Sequence, residues 1–136
     1  TEYQMIKSAK TCFIQDDVLY GKLRPNLNKV YLAKQEGICS TDILVFRFKN
    51  KVLAKFYAHY LKSEAFNQAV LQTVSGQQLP RTSWGAMQEI KIPVPPLAEQ
   101  TALVAQIEAI ETKIAEAQRI IDQAPAQKQA VLRQYL

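Results

Sequence analysis

The sequence predicts an α+β protein: a small mixed α/β head followed by a long C-terminal coiled-coil helix. Two observations lead to this prediction. Short runs of β-branched and aromatic residues alternate with turn residues in the first half of the chain, as in small sheets. Residues 97–136, by contrast, contain no glycine and are rich in the helix formers Ala, Gln, Glu and Leu. We therefore divide the chain into a head, residues 1–96, and a helix, residues 97–136.

The elements of the head follow from its hydrophobic pattern. After Asn50 the apolar residues take the spacing of one helical face, which predicts a helix over 52–61 and a second helix that Ser63 opens. Ser83 is placed to cap a short helix that reaches Met87, and the apolar run 90–94 predicts a strand that ends at the prolines. Three further strands are expected at residues 18–20, 29–33 and 43–48.

The helix has the pattern of a coiled coil. Its apolar residues recur at alternating intervals of four and three, and at about 1.5 Å per residue the segment spans roughly 60 Å, longer than the head is wide. A helix that only lies along its own head is the alternative, but it would leave part of this seam uncovered, so we expect the seam to meet another helix. Pro125 predicts a kink or break at residues 123–124. The predicted dimer or subunit interface consists of Leu103, Ile107, Ile110, Ile114, Ala117, Ile121 and Val131.

The charge is distributed unevenly along the chain. The net charge is +5 and the pI is about 9.2. Residues 1–96 hold 13 basic and 7 acidic side chains, whereas residues 97–136 hold 4 basic and 5 acidic ones. The basic excess thus belongs to the head, which favours a polyanionic partner for the head and a protein partner for the helix.

Several classes of protein are disfavoured. No apolar run is long enough to cross a bilayer and the first residues lack a signal-peptide core, so we expect a cytoplasmic protein without membrane contact. Cys12 and Cys39 have neither CxxC spacing nor a histidine cluster, which indicates reduced structural thiols rather than a zinc site or a disulfide framework. The four glycines form no phosphate-binding loop.

Candidate catalytic groups are few. The single histidine, His59, lies among aromatic residues of a predicted helix and is expected to be structural. Glu89 and Lys91 have the Glu-x-Lys spacing of metal-dependent nucleases, but no Asp lies between Asp42 and Asp122 to complete an ion site, so a charge at a strand edge explains Lys91 better. We therefore expect a non-catalytic protein that holds no metal and no cofactor.

Binding chemistry is better represented, in two polar segments. Residues 20–35 are typical of strand, loop and strand, contain no acid before residue 36, and mix basic side chains with asparagines. Lysine suits phosphates, whereas Arg and Asn can pair with base edges, and a merely solvated hairpin is the alternative. Residues 75–82 carry hydrogen-bond donors and acceptors but few apolar side chains whose burial could order the segment. The candidate DNA contacts are Lys22, Arg24, Asn26, Asn28, Lys29, Gln77, Gln78, Arg81 and Thr82.

A third segment, residues 43–63, is also free of acids and contains five basic residues. These side chains suit phosphate contacts, but they interrupt apolar positions and suit the solvated face of a strand and helix equally well. The basic residues are Arg47, Lys49, Lys51, Lys55 and Lys62.

The order of these motifs resembles the target-recognition module and adjoining spacer helix of the specificity subunit of type I restriction-modification enzymes. The resemblance covers about residues 16–136. Its most specific stretch is IKIPVPPLAEQ at residues 90–100, which runs into a long Ile-rich helix. The other matching stretches are DVLYGKLRP at 17–25 with Asn28-Lys29, GICSTDILV at 37–45, and Ser75-Gly76 with Pro80-Arg81.

This resemblance implies a non-catalytic reader of double-stranded DNA, whose head recognises half of a bipartite site while the helix pairs antiparallel with a second helix and sets the gap. It also implies modification subunits, which use S-adenosylmethionine to methylate adenine, and a restriction subunit that joins for cleavage. No cofactor is expected on this chain itself. Such subunits normally carry two modules and two helices, whereas this sequence has one of each, so we expect a half-subunit or fragment that forms a two-fold homodimer.

A hypothesis from a different class stays open. In it the chain is a protein-interaction adaptor whose coiled coil is its main function and whose basic loops are only soluble surface. Strong salt dependence of DNA binding distinguishes the two hypotheses, because counterion release accompanies phosphate contacts.

Overall fold

The computed structural model describes residues 10–74 and 80–135 of the chain. Within these ranges short strands come first and helices follow, an α+β arrangement that confirms the fold class and the long C-terminal helix. The elements are β1 (Lys10–Phe13), β2 (Val18–Gly21), a 3-10 turn (Pro25–Leu27), β3 (Val30–Leu32), β4 (Gly37–Ser40), β5 (Ile43–Phe46), α1 (Lys51–Leu61), α2 (Glu64–Leu71), α3 (Trp84–Met87) and α4 (Leu97–Arg133).

The strands form two small antiparallel sheets. In the three-stranded sheet β2 lies between β3 and β5, so Val18 is opposite Leu32 on one side and Phe46 on the other. β1 pairs with β4 in a separate ribbon, where Phe13 lies opposite Gly37. A Cβ at position 37 would lie 2.6 Å from the phenyl ring of Phe13, so the ribbon needs a glycine there.

Polar side chains fix the starts of three helices. The side-chain oxygens of Asn50, Ser63 and Ser83 each accept a hydrogen bond from the backbone N–H three residues later, at the starts of α1, α2 and α3. Such caps satisfy one of the backbone donors that a helix leaves unpaired at its first turn. The helix starts predicted at Ser63 and Ser83 are thus confirmed.

Helix α1 lies between the three-stranded sheet and α4. One face contributes Ala54, Ala58 and Leu61 to the main core, together with buried side chains of β2 and β3. Phe56 and Tyr57, which lie outside this face, pack against Val104 of α4. Because both faces of α1 are removed from water, its apolar residues follow two stripes instead of one.

Helix α4 has two parts with different surroundings, which we call the near half (residues 97–111) and the far half (residues 112–133). In the near half Gln100 and Val104 are buried, and Glu108 forms an ion pair of 2.9 Å with Lys55 of α1. In the far half every side chain is exposed except that of Ala124, which is half-buried. The near half therefore packs on the head, and the division into two domains at residue 96 stays a prediction.

Two predictions about local structure were wrong. Residues 90–94 form no strand, because three of the residues from 93 to 96 are prolines that supply no N–H to a ladder. Of the kink or break expected at residues 123–124, the break does not occur: helix α4 continues through Pro125, which is flanked on both sides by the good helix formers Ala and Gln. The kink stays a prediction. The proline removes one N–H from the helix without ending it.

Candidate nucleic-acid interface

A tight turn between β2 and β3 presents polar side chains to solvent. Arg24 and Asn28 both have left-handed backbone conformations, with φ of 50° and 51°, and they bracket the 3-10 turn. Inside this bracket the N–H of Leu27 donates to the carbonyl of Arg24 at 3.0 Å, and the N–H of Asn28 donates to that of Pro25 at 2.9 Å. Pro25 is buried and Asn26 is exposed. The turn is thus anchored in the fold by Pro25 and exposed to solvent at Asn26.

The second polar segment lies directly beside this turn. The N–H of Arg24 donates to the carbonyl of Pro80 at 2.7 Å, and the N–H of Thr82 donates to that of Lys22 at 3.1 Å. Leu23 and Arg81 form an isolated antiparallel bridge between these bonds. Two segments about 55 residues apart in sequence are therefore joined through their backbones.

The end of α1 closes the other side of the turn. The side-chain N–H of Asn28 donates to the carbonyl of Lys62 at 2.6 Å, and Lys62 is exposed. Sequence reasoning did not select Lys62 as a site residue, although it stood in the acid-free run 43–63. We use the name loop surface for residues 22–29, 62 and 80–82.

The loop surface is rich in basic groups. Arg24, Lys29, Lys62 and Arg81 are exposed, and Lys22 is half-buried. The Arg81 guanidinium lies 3.3 Å from a carboxylate oxygen of Asp42, and the backbone carbonyl of Asp42 accepts a hydrogen bond from the backbone N–H of Lys22. The five cations outnumber the neighbouring acids Asp42 and Glu64, so this region carries a net positive charge that attracts phosphate groups.

The side chain of Lys29 lies across β2. A Cβ at Gly21 would be 3.0 Å from its Cε and 3.4 Å from its Nζ, so the glycine leaves the space through which this lysine passes. The N–H of Gly21 also donates to the carbonyl of Lys29 at 3.0 Å. Lys29 is therefore held close to the sheet rather than extended freely into solvent.

Two of the predicted DNA contacts are engaged within the fold, and two lie outside the described residues. Thr82 is only 2% exposed and its hydroxyl lies 2.7 Å from that of Thr73, so its side chain is not available to DNA. Asn28 is half-buried and its side-chain amide is bonded to the carbonyl of Lys62, which gives it a structural part in shaping the turn. Gln77 and Gln78 lie outside the described residues.

Two basic residues of the run 43–63 are engaged elsewhere in the molecule. Arg47 forms two hydrogen bonds, of 2.8 and 2.7 Å, with the carboxylate of Asp17, which is 1% exposed and also accepts from the N–H of Ile14. The bonded Arg47 holds the pKa of Asp17 below its ordinary value of 3.8. Lys55 pairs with Glu108 of α4. These two cations stabilise the fold, and their positions do not add to the loop surface.

The predicted interface residues of the helix divide between the two halves of α4. Leu103 and Ile107 are half-buried in the near half, and Leu103 packs against the cluster of Phe56, Tyr57 and Val104. Ile110 lies in the near half but points away from the head with 57% exposure. The remaining predicted residues are all exposed in the far half: Ile114, Ala117, Ile121 and Val131.

The groups considered for catalysis lie apart from the loop surface. The His59 Nδ1 is 3.7 Å from a carboxylate oxygen of Glu111, which gives this histidine a contact with α4. Glu89 and Lys91 are exposed beside the proline segment. In residues 10–74 and 80–135 no group of three His, Cys, Asp or Glu side chains could hold a metal ion. No helix in the same ranges combines the length and apolar character that a membrane span requires.

Comparison with known proteins identifies a family and a relative. Residues 3–126 match the family described as "Type I restriction modification DNA specificity domain". Over 105 residues the chain is 30% identical to the type I restriction enzyme EcoDI specificity subunit of Escherichia coli, and this alignment covers 77% of the chain and 23% of the relative. The chain thus spans less than a quarter of the length of the curated relative that it matches.

Proposed function

The chain belongs to the family of type I restriction-modification DNA specificity domains, and from that premise we propose that its head binds double-stranded DNA sequence-specifically through the loop surface. The main support for this proposal is that segments 22–29 and 80–82 lie side by side and are hydrogen-bonded to each other. Together with Lys62 they bring basic side chains into one contiguous region. Phosphate contacts would orient the head, and base contacts would give specificity.

The chemistry of each side chain suggests its part in recognition. Lys22, Lys29 and Lys62 suit phosphate oxygens, because an ammonium group is a compact charge that distinguishes bases poorly. Arg24 and Asn26 are exposed at the anchored turn and suit base edges, since a guanidinium pairs bidentately with guanine and a carboxamide with adenine. Asp42 holds the guanidinium of Arg81 in place, which lowers the entropy that a contact from Arg81 would cost.

We assign the exposed seam of α4 to self-association. The exposed isoleucines of this seam contribute no burial energy to the folded chain. If the seam packed against the same seam of a second copy, these side chains would be buried in a two-fold homodimer. Two heads related in this way would recognise two identical half-sites in inverted orientation.

The proposed consequence of binding lies in partner subunits. Modification subunits that carry S-adenosylmethionine would methylate adenine at the recognised site, and a restriction subunit would join for cleavage. The chain itself acts as a non-catalytic, cytoplasmic specificity component in this proposal, and it contributes recognition rather than a reacting group.

A second candidate function rests on the far half alone. Its exposed isoleucines would suit a coiled-coil adaptor that binds other proteins and has no specific affinity for DNA. DNA binding that is weak, indifferent to sequence and unaffected by changes in the loop surface would favour this adaptor function.

The proposal is tested by selection of duplexes from a random pool with the purified chain, with and without a modification subunit. We expect enrichment of a defined sequence, with binding that weakens steeply as salt rises because phosphate contacts release counterions. A bound pool that stays random in sequence would contradict specific recognition.

Variants of the loop surface identify the contacts. Arg24→Ala should cost about 1–3 kcal/mol on the selected duplex and relax the preference at one base pair, whereas Lys22→Ala should weaken binding to all sequences alike. Lys113→Ala, which changes an exposed lysine of the far half, is the matched control and should leave affinity nearly unchanged. Equal losses of Arg24→Ala on selected and random duplexes would remove Arg24 from base readout.

A further inference from the structure

The tip of the anchored turn carries a large apolar side chain. Leu27 is 58% exposed, although it lies between basic and polar residues of the loop surface. A single exposed leucine is ordinary on a protein surface. Leu27 differs because it lies in a turn bracketed by two residues with left-handed backbone conformations, Arg24 and Asn28.

Four hydrogen bonds and two unusual backbone angles fix the turn. Arg24 at φ 50° adopts a left-handed conformation that is unfavourable for a non-glycine residue, and Asn28 at φ 51° adopts the same conformation at lower cost. Bonds to the carbonyls of Pro80 and Lys62 tie the two ends to neighbouring elements, and two further bonds close the turn itself. Backbone strain that is maintained in this way is concentrated at functional sites.

The surroundings of Leu27 indicate what it contacts. Arg24 and Asn26 are exposed in the same turn and suit phosphates or base edges, so a duplex bound by these two side chains would come within reach of Leu27. The apolar group in the major groove is the C5-methyl of thymine. Asn26, its exposed neighbour, has the side chain that pairs with adenine in the same groove.

We propose that Leu27 is a specificity-determining residue that contacts the C5-methyl group of a thymine in the recognised half-site. This inference rests on the proposed DNA-binding function and names one base contact within it. Loss of one buried methyl contact corresponds to about a 4-fold change in affinity, since a buried methylene is worth about 0.8 kcal/mol.

Deoxyuridine provides the test, because it differs from thymidine only by lacking this methyl group. Each thymine of the selected duplex is replaced in turn, and Kd is measured by fluorescence anisotropy for the wild type and for Leu27→Ala. We expect one replacement to weaken wild-type binding about 3- to 5-fold and to leave the affinity of Leu27→Ala unchanged. Ile14→Ala is the control: Ile14 is similarly exposed but lies at the opposite end of β2, so this variant should respond to deoxyuridine as the wild type does.

The possible outcomes distinguish a failure of the Leu27 contact from a failure of DNA recognition itself. Suppose that the wild type prefers the selected duplex to a scrambled one, but that every thymine replacement affects the wild type and Leu27→Ala equally. The role of Leu27 is then overturned while DNA recognition stands. The same conclusion follows if the selected half-site has no thymine. If the wild type binds selected and scrambled duplexes equally, the proposed function fails, and the role of Leu27 fails with it.

Discussion

The near and far halves of α4 are built from the same kinds of residue but differ in their surroundings. Val104 in the near half is 6% exposed, whereas Ile114 and Ile121 in the far half are each 62% exposed. The difference arises from the head: α1 offers Phe56 and Tyr57 to the near half, and no described element of the head reaches the far half. A heptad pattern thus identifies an apolar stripe but not the partner that covers it.

Polar contacts reinforce this division. At the start of α4 the Gln100 side chain donates to the carbonyl of Pro95 at 2.9 Å, and the Tyr57 hydroxyl donates to that of Pro93 at 3.0 Å. Glu108 and Glu111 then meet Lys55 and His59 of α1. These contacts end at Glu111, so the direction of the helix is fixed by the near half and the far half is free to meet another molecule.

The largest effect is expected from a charge in the buried contact. Val104→Asp should destabilise the head by more than about 3 kcal/mol, because it places an unpaired carboxylate against aromatic rings. Urea unfolding followed by fluorescence of Trp84, the single tryptophan, measures this loss. Ile114→Asp is the matched variant in the far half and should leave the unfolding of the dilute protein nearly unchanged; similar losses in both would erase the distinction between the halves.

The exposed seam of α4, which begins at Ile110 and continues into the far half, should control association instead of folding. Replacing the exposed isoleucines at 110, 114 and 121 by alanine is expected to weaken self-association at least 100-fold, or by about 2.8 kcal/mol, because three apolar contacts are lost from each copy. Sedimentation at micromolar concentration measures the change. A wild-type chain that sediments as a monomer would contradict the seam as a self-association surface.

The buried carboxylate of Asp17 has no counterpart in the far half and makes the head sensitive to acid. Since Arg47 holds the pKa of Asp17 below its ordinary value of 3.8, the unfolded chain takes up the proton more readily than the folded one. The stabilisation is therefore complete above about pH 4 and is lost as the pH falls further through the folded pKa. Asp17→Asn should cost about 1–2 kcal/mol at neutral pH, a modest figure because Arg47 is 58% exposed.

Chemical denaturation from pH 7 down to pH 2 tests this expectation. The wild type should lose part of its stability below about pH 4, and Asp17→Asn should show a smaller loss in the same interval. Parallel curves for the two proteins would show that other carboxylates govern the acid sensitivity.

The smallest effect is expected from the ion pair between α1 and the near half. Lys55→Ala should cost less than about 1 kcal/mol, because Lys55 and Glu108 are both partly exposed and screened by salt. A double-mutant cycle with Glu108→Ala isolates the coupling energy, which should shrink in high salt. Coupling well above 1 kcal/mol would mean that charge, rather than the Val104 contact, holds the near half in place.

The parts of this molecule that depend on local signals could be predicted from the sequence. Strand β2, the helix starts at Ser63 and Ser83, and the long helix follow from residue types within a few positions of each other. Strands β1 and β4 were missed because they depend on each other: Phe13 covers Gly37 across the ribbon, and neither short segment stands out alone. The strand expected at residues 90–94 failed because the prolines outweigh the apolar pattern.

The candidate site shows the same limit. The basic loop and the polar segment were found separately by composition, but the bonds between Arg24 and Pro80 and between Lys22 and Thr82 join residues that no local rule connects. For the same reason the burial of Thr82 against Thr73 could not be foreseen, since its polar side chain suggests exposure until a partner is known.

We propose that DNA binds the loop surface of the head and leaves the far half of α4 free. Backbone amide shifts of the labelled chain, recorded by NMR during titration with the selected duplex, locate the contact directly. We expect the largest changes at the non-proline residues of the ranges 22–29 and 80–82 and at residue 62, with the amides of residues 112–133 little affected. Changes concentrated in the far half, or none in the turn from Arg24 to Asn28, would contradict it.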